Sequence, residues 1–264
     1  MPVTSVRLAA AAIALACALP VHAQAARVWN LGSFPAPTPT PVGGCTFVGG
    51  NTTVGNRADC RANGTTTTSL TVRAFSLTGT TGSSTVTTAA VRSHGTSGLG
   101  VCFAGEQCTS PNHAVDNIGR VDFLLLDFLV DARLQELSIG WVGTNDSDIQ
   151  VLRWTGAGNP LTALENPATT ASALTAAGNW SVLATRSNAG MGVENLSNTT
   201  AVSRYWLVSA YNPAFQTVNG LTIGDDAFKL ASVTATVVPE PSTYALLATG
   251  LAGLAVLRRR RARA

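Results

Sequence analysis

The sequence predicts an all-β fold for the middle of the chain, an antiparallel β-sandwich of jelly-roll type. Two observations predict it: nine short runs of alternating apolar residues, and turn residues between those runs. Of the 264 residues, 45% are hydrophobic and 12% charged, about half the charged share of an ordinary soluble domain. The 25 glycines follow no three-residue period and no apolar heptad persists, which excludes collagen and coiled coil.

Residues 1–23 open with the single basic residue Arg7, continue in the apolar run LAAAAIALACALP and end in Val-His-Ala. This is the pattern of a secretory signal, a helix in the precursor that is removed after export. Cys17 lies in that run, in an order that does not match a lipobox. Residues 24–44 contain FPAPTPTPVGG, a Pro-rich lead-in that favours extended, poorly packed chain, so the body is expected over residues 45–238. Its nine runs are residues 69–77, 85–93, 98–103, 121–130, 134–142, 148–155, 180–185, 202–211 and 227–238. Gly79, Gly82, Gly143-Thr144-Asn145 and Asn219-Gly220 supply the turns. One short Ala-rich helix is expected at residues 169–177, ended by Gly178.

Cys45, Cys60, Cys102 and Cys108 remain after signal removal, and an exported chain with four cysteines is expected to form disulfides. Four cysteines allow three pairings; proximity favours Cys45 with Cys60 and Cys102 with Cys108. Neither spacing resembles a zinc site.

The last residues, 239–264, fall into three parts in fixed order: Pro239-Glu240-Pro241, an apolar run over residues 244–257, and Arg258-Arg259-Arg260-Arg261. The apolar run as a transmembrane helix is ~21 Å long, short for a ~30 Å hydrocarbon core but extended by snorkelling arginines. The arginines act as a membrane stop on the cytoplasmic side. The prolines keep the preceding segment extended, open to a processing enzyme. This tail resembles the PEP-CTERM sorting signal. The resemblance implies the exosortase system of Gram-negative bacteria that make extracellular polysaccharide: delivery by the Sec machinery and signal peptidase, a precursor held transiently in the inner membrane, cutting near Pro239-Glu240-Pro241, and passage to the cell surface or beyond.

The body offers a second resemblance, to one family of exosortase-dependent surface proteins, carried by Ala74-Phe75-Ser76-Leu77-Thr78-Gly79, GLGVC at 98–102, HAxDN at 113–117, the strand beginning Asp122-Phe123, IGW followed by Asp146-Ser147-Asp148, and DxFKL at 226–230. Phe75 stands where that family usually has Trp. It implies no biochemical activity.

Residues 24–240 hold eleven basic against fourteen acidic groups, because six of the 17 basic residues lie in the terminal segments. No basic stripe exists for nucleic acid, and no such partner is expected. Catalysis is not expected either. The chain lacks Gly-x-Ser-x-Gly, P-loop and His-Glu-x-x-His patterns. His113 with Asp116 and Asn117 could supply a base and its orienter, but no nucleophile is marked beside them, and the favoured alternative is a long turn whose backbone these side chains bond; Asp122 and Asp127 stand at opposite strand parity. Asp146, Asp148, Asp225 and Asp226 concentrate oxygen ligands that could hold calcium; the favoured alternative is Asx turns capped by their own backbone, and no other cofactor is expected. Of the tryptophans and tyrosines, at least one of the neighbours Tyr205 and Trp206 is expected to face outward, where it could stack on carbohydrate. The chain thus reads as an exported, non-catalytic surface or matrix protein linked to exopolysaccharide or biofilm, the alternative being a carbohydrate-binding module for extracellular polysaccharide.

Overall fold

A computed structural model of the chain describes residues 25–32, 44–49, 54–106, 108, 113–144, 146–176, 178–196, 200–238 and 241–262. The chain divides into a body, Ala26–Val237, and the terminal segments Met1–Ala25 and Val238–Ala264. The expected signal helix over residues 1–23 lies outside the described residues.

The body is all-β, as its alternating runs require. Its strands are β1 (Arg27–Asn30), β2 (Gly44–Val48), β3 (Val54–Gly55), β4 (Arg57–Arg61), β5 (Thr68–Leu77), β6 (Val86–Ser93), β7 (Leu99–Cys102), β8 (Val115–Asp116), β9 (Asp122–Val142), β10 (Ile149–Trp154), β11 (Trp180–Arg186), β12 (Gly192–Asn195), β13 (Ser203–Ala210) and β14 (Ala227–Val237). Two short helices, α1 (Leu161–Leu164) and α2 (Ala171–Ala176), lie between β10 and β11. The expected Ala-rich helix is α2.

The described strands join in one sheet in the order β11-β10-β13-β9-β14-β7-β6-β5-β4-β2, every pairing between named strands being antiparallel. A further pairing of β5 with β9, over Thr71–Asp127 to Ser76–Asp122, closes β9, β14, β7, β6 and β5 into a circuit. Closure depends on the length of β9. The two expected runs at 121–130 and 134–142 form one 21-residue strand, whose first part pairs with β5 and β13 and whose second part pairs with β14 and β12. The change of partner falls at a bulge, where Leu129 has φ +62° and Asp127 accepts a hydrogen bond from the Leu129 N–H.

Two apolar cores lie on opposite faces of the strands that connect them. Along β9, Leu124, Leu126 and Phe128 enter a large core with Trp29, Leu70, Val72, Val208 and Phe228, while Phe123 and Leu125 enter a second core with Phe75, Leu152, Phe215, Leu164 of α1 and Leu174 of α2. This arrangement overturns the expectation that Tyr205 or Trp206 faces solvent. The two do point to opposite faces of β13, but Trp206 is fully buried in the first core and Tyr205 is 6% exposed in the second. Alternation only implies an exposed side when one face of the sheet is bare, and here the helical segment covers the other face.

The body also begins earlier than Cys45. β1 pairs with β14 from Arg27–Ala235 to Asn30–Ser232, and Trp29 is fully buried, its indole N–H bonding the Ser69 hydroxyl at 3.0 Å. Both favoured disulfides form. Cys45–Cys60 joins β2 to β4 at directly opposed positions, with Cα atoms 4.0 Å apart, and Cys102–Cys108 closes the loop after β7, with Cα atoms 5.8 Å apart.

Candidate functional site

Three motifs distant in sequence meet at one end of β14. Asn117, after β8, is fully buried and clamps the junction: its amide donates to the Tyr211 carbonyl at 3.0 Å and to the Asp226 carboxylate at 2.5 Å. Its side-chain oxygen accepts the N–H groups of Gly224 and Asp226, both at 2.9 Å. Gly224 presents its N–H from φ +106°, a conformation that suits glycine. Asp226 also accepts the Asp148 N–H at 2.6 Å. Asp148 in turn accepts the Asn188 N–H at 2.8 Å, and Asp146 accepts the Ser147 N–H at 2.7 Å, a side-chain-to-backbone bond within the Asp-Ser-Asp turn. Asp146 and Asp226 also form an isolated parallel bridge.

Carboxylate oxygens of Asp146, Asp148 and Asp226 lie within 4.8 Å of one another. Asp225, grouped with them by sequence, does not join them; the Thr222 hydroxyl bonds both its oxygens at 3.0 and 2.8 Å. Burial, with the charges of Asp148 and Asp146 added, holds the Asp226 carboxyl up at about 7 against the pull of its hydrogen bonds. Burial likewise raises Asp148.

The HAxDN segment thus contributes a clamp, Asn117, which the sequence marks only as a neighbour of His113 and not as a tie between distant segments. His113 is 3% exposed at φ +84°, its Nδ1 3.4 Å from the Glu106 carboxylate. Asp116 accepts the Ile118 N–H at 3.1 Å. The glycines of GLGVC serve packing: a Cβ on Gly98, at φ +106°, would strike the Leu230 backbone of β14, and one on Gly100 would strike the His113 carbonyl. Asp122 and Asp127 are separated as parity requires. Asp122 is 3% exposed, and burial with the Asp116 charge raises its carboxyl well above the usual range, whereas Asp127 pairs with Arg204 through contacts of 2.7 and 3.0 Å.

A cleft of about 730 Å³ lies beside the β9 bulge. Trp154, Arg153, Asn159, Asp131, Arg204 and Tyr205 line it. Trp154 is half-buried and leans on Trp180, ring centres 5.1 Å apart, and the Arg204 guanidinium sits 4.9 Å from the Tyr205 ring centre. The cleft combines a partly exposed indole with two guanidinium groups, the chemistry of a site for a polar, planar-faced or anionic ligand.

In the C-terminal segment, Pro239 and Glu240 lie outside the described residues. Pro241 is the first residue of helix α3 (Pro241–Arg261), which carries Arg258, Arg259, Arg260 and Arg261 in its last turn. The second proline of the motif therefore opens a helix instead of continuing the extended chain expected there, because proline's fixed φ and missing N–H suit the first turn of a helix. Among the described residues no helix is long and apolar enough to cross a membrane. No curated protein and no solved structure matches the chain. The PEP-CTERM protein-sorting motif family matches residues 237–261. That motif implies export, a membrane-anchored precursor and exosortase-dependent sorting to the cell surface, and the chain carries it as its C-terminal sorting segment.

Proposed function

We propose that the chain is a non-catalytic cell-surface or extracellular-matrix protein of a Gram-negative bacterium, associated with its exopolysaccharide or biofilm. The observation that carries this reading is the sorting motif at 237–261, following directly on a disulfide-closed all-β body. In this reading the Sec machinery and signal peptidase deliver the chain, the C-terminal segment anchors the precursor at the inner membrane with its arginines on the cytoplasmic side, and exosortase cuts near Pro239-Glu240-Pro241. His113 and Asp122 are enclosed, out of reach of a polymer, which supports a role without turnover.

The Trp154 cleft favours a second reading, a carbohydrate-binding module for the cell's own extracellular polysaccharide. An indole face stacks on the apolar face of a sugar ring, and Arg153 suits an acidic residue of the polymer, Arg204 being held by Asp127.

Mass spectrometry of the protein from a host with the matching exosortase tests the sorting step. The mature chain should lack residues 244–264; intact Arg258–Arg261 on surface-exposed protein would overturn processing. Affinity electrophoresis through gels containing the host's polysaccharide tests the second reading, with Trp154→Ala expected to abolish the retardation. Equal migration with and without polymer rejects the module, and release of reducing ends rejects the non-catalytic role.

A further inference from the structure

We propose that the junction of the Asp146–Asp148 turn with the start of β14 is a binding site for one calcium ion, with the carboxylates of Asp146, Asp148 and Asp226 as protein ligands and Asn117 as the residue that positions Asp226. The cleft and the tail play no part in it.

Distance is the first argument. Oxygens bound to calcium lie ~2.3–2.6 Å from it, so two of them are at most about 5 Å apart. The three carboxylates offer oxygens within 4.8 Å of one another. One ion therefore reaches all three without rearrangement of the backbone.

An unpartnered oxygen is the second, independent observation. Asp148 is 1% exposed; its Oδ1 takes the Asn188 N–H, while its Oδ2 is buried and has no hydrogen-bond partner among the described residues. A buried carboxylate oxygen without a donor is the arrangement that native proteins avoid, and a cation satisfies it where a donor is missing. Among the described residues, no Lys, Arg or His forms an ion pair with Asp146, Asp148 or Asp226. Three acidic groups thus converge with no positive side chain bridging to them.

Ligand chemistry selects the ion. The donors are all hard oxygens, which suit calcium or magnesium over zinc or copper. They come from a turn and a strand end in irregular array, which calcium's flexible coordination accepts and magnesium's near-ideal octahedron does not. Asp146 is half-buried and leaves a side for entry and for the waters that complete ~6–8 ligands. A bound ion would tie together the segment after β8, the β9–β10 turn and the start of β14.

The test uses the full chain in detergent, stripped with chelator, desalted and titrated with calcium chloride in a calorimeter, with melting followed in parallel. One calcium per chain should bind and the melting temperature should rise. Asp146→Asn, at a half-buried position that tolerates change, should weaken binding at least tenfold, while Asp225→Asn should leave it unaltered. Asp148→Asn should melt no lower than the parent in chelator and lose the calcium response. Magnesium at the same concentration should raise the melting temperature less. No binding at ~1 mM calcium, the range of extracellular modules, overturns the site, as does an Asp146→Asn chain that titrates like the parent. An equal or larger magnesium response overturns the choice of ion.

Discussion

Asp122 shows how a single buried carboxyl sets a pH dependence. In the folded body its carboxyl is raised by burial and by the charge of Asp116, so it stays protonated at a pH where the unfolded chain has released the proton. Between the ordinary carboxylate value and the raised one, the folded state binds more protons. Stability therefore falls as pH rises through that window and stays low above it. Asp116, raised to about 6 by burial, acts in the same sense. Asp122→Asn keeps the shape and removes the charge, and denaturant unfolding should show it more stable than the parent at pH 8 and nearly equal at pH 4. A constant difference at both would disprove the assignment. Trp206 is a simpler case: fully buried, with its indole N–H on the Ser203 carbonyl at 2.9 Å, it should cost about 3–5 kcal/mol of unfolding free energy as Trp206→Ala. That both faces of its strand are covered was partly legible. The uninterrupted Phe123-Leu124-Leu125-Leu126 on the neighbouring strand has no polar side to give to water. The Asn117 clamp was not legible, since an Asn in a loop looks the same whether it bonds its own turn or, as here, segments 94 and 109 residues away.

Among the elements, the apolar runs and the Ala-rich α2 could be read because their pattern is internal to each segment. β1, β2 and β4 could not. RVWN is short and ADC in RADCR offers little apolar surface; these strands exist because partners elsewhere complete them, β14 for the first and the Cys45–Cys60 bond for the other two. The separation of 15 residues between Cys45 and Cys60 corresponds to about 3 kcal/mol of chain-entropy stabilisation, and the separation of 6 between Cys102 and Cys108 to about 2 kcal/mol. Replacing each pair by serine and comparing denaturant midpoints should give losses in that order. Alkylation of the denatured, unreduced mature protein should label no cysteine; a labelled pair would mean that the bridges are not formed in the exported chain.

At the scale of the whole body, the circuit of β9, β14, β7, β6 and β5 makes the fold depend on contacts between segments far apart in the sequence. Trp29 of β1 meets Val233 of β14, and its ring packs edge-on against Phe128 with centres 5.1 Å apart. Trp29→Ala should cost about 3–5 kcal/mol, as much as a change in the middle of β9, although it lies only a few residues from the expected signal cleavage point. Cleavage past Asn30 would remove β1 altogether and should give a chain that unfolds well below the parent's midpoint. Cleavage at residue 23 spares it. Such long-range pairing also places the body among slow folders, on the millisecond to second scale, so a stopped-flow refolding trace should show no microsecond phase that recovers native tryptophan fluorescence.

β14 is held on one edge by β9 from Phe228–Val142 to Val237–Ala132, and on the other by β8, β7 and β1 in turn. The sorting motif begins at residue 237, on the last residue of that strand. Until the tail is cut, the chain passes from it into the body at the end of β14. Because β14 is paired on both edges, fraying at the cut end cannot spread inward without breaking ladder hydrogen bonds on each side. Removal of the sorting tail therefore leaves the new C-terminus on a strand that both neighbours hold in place.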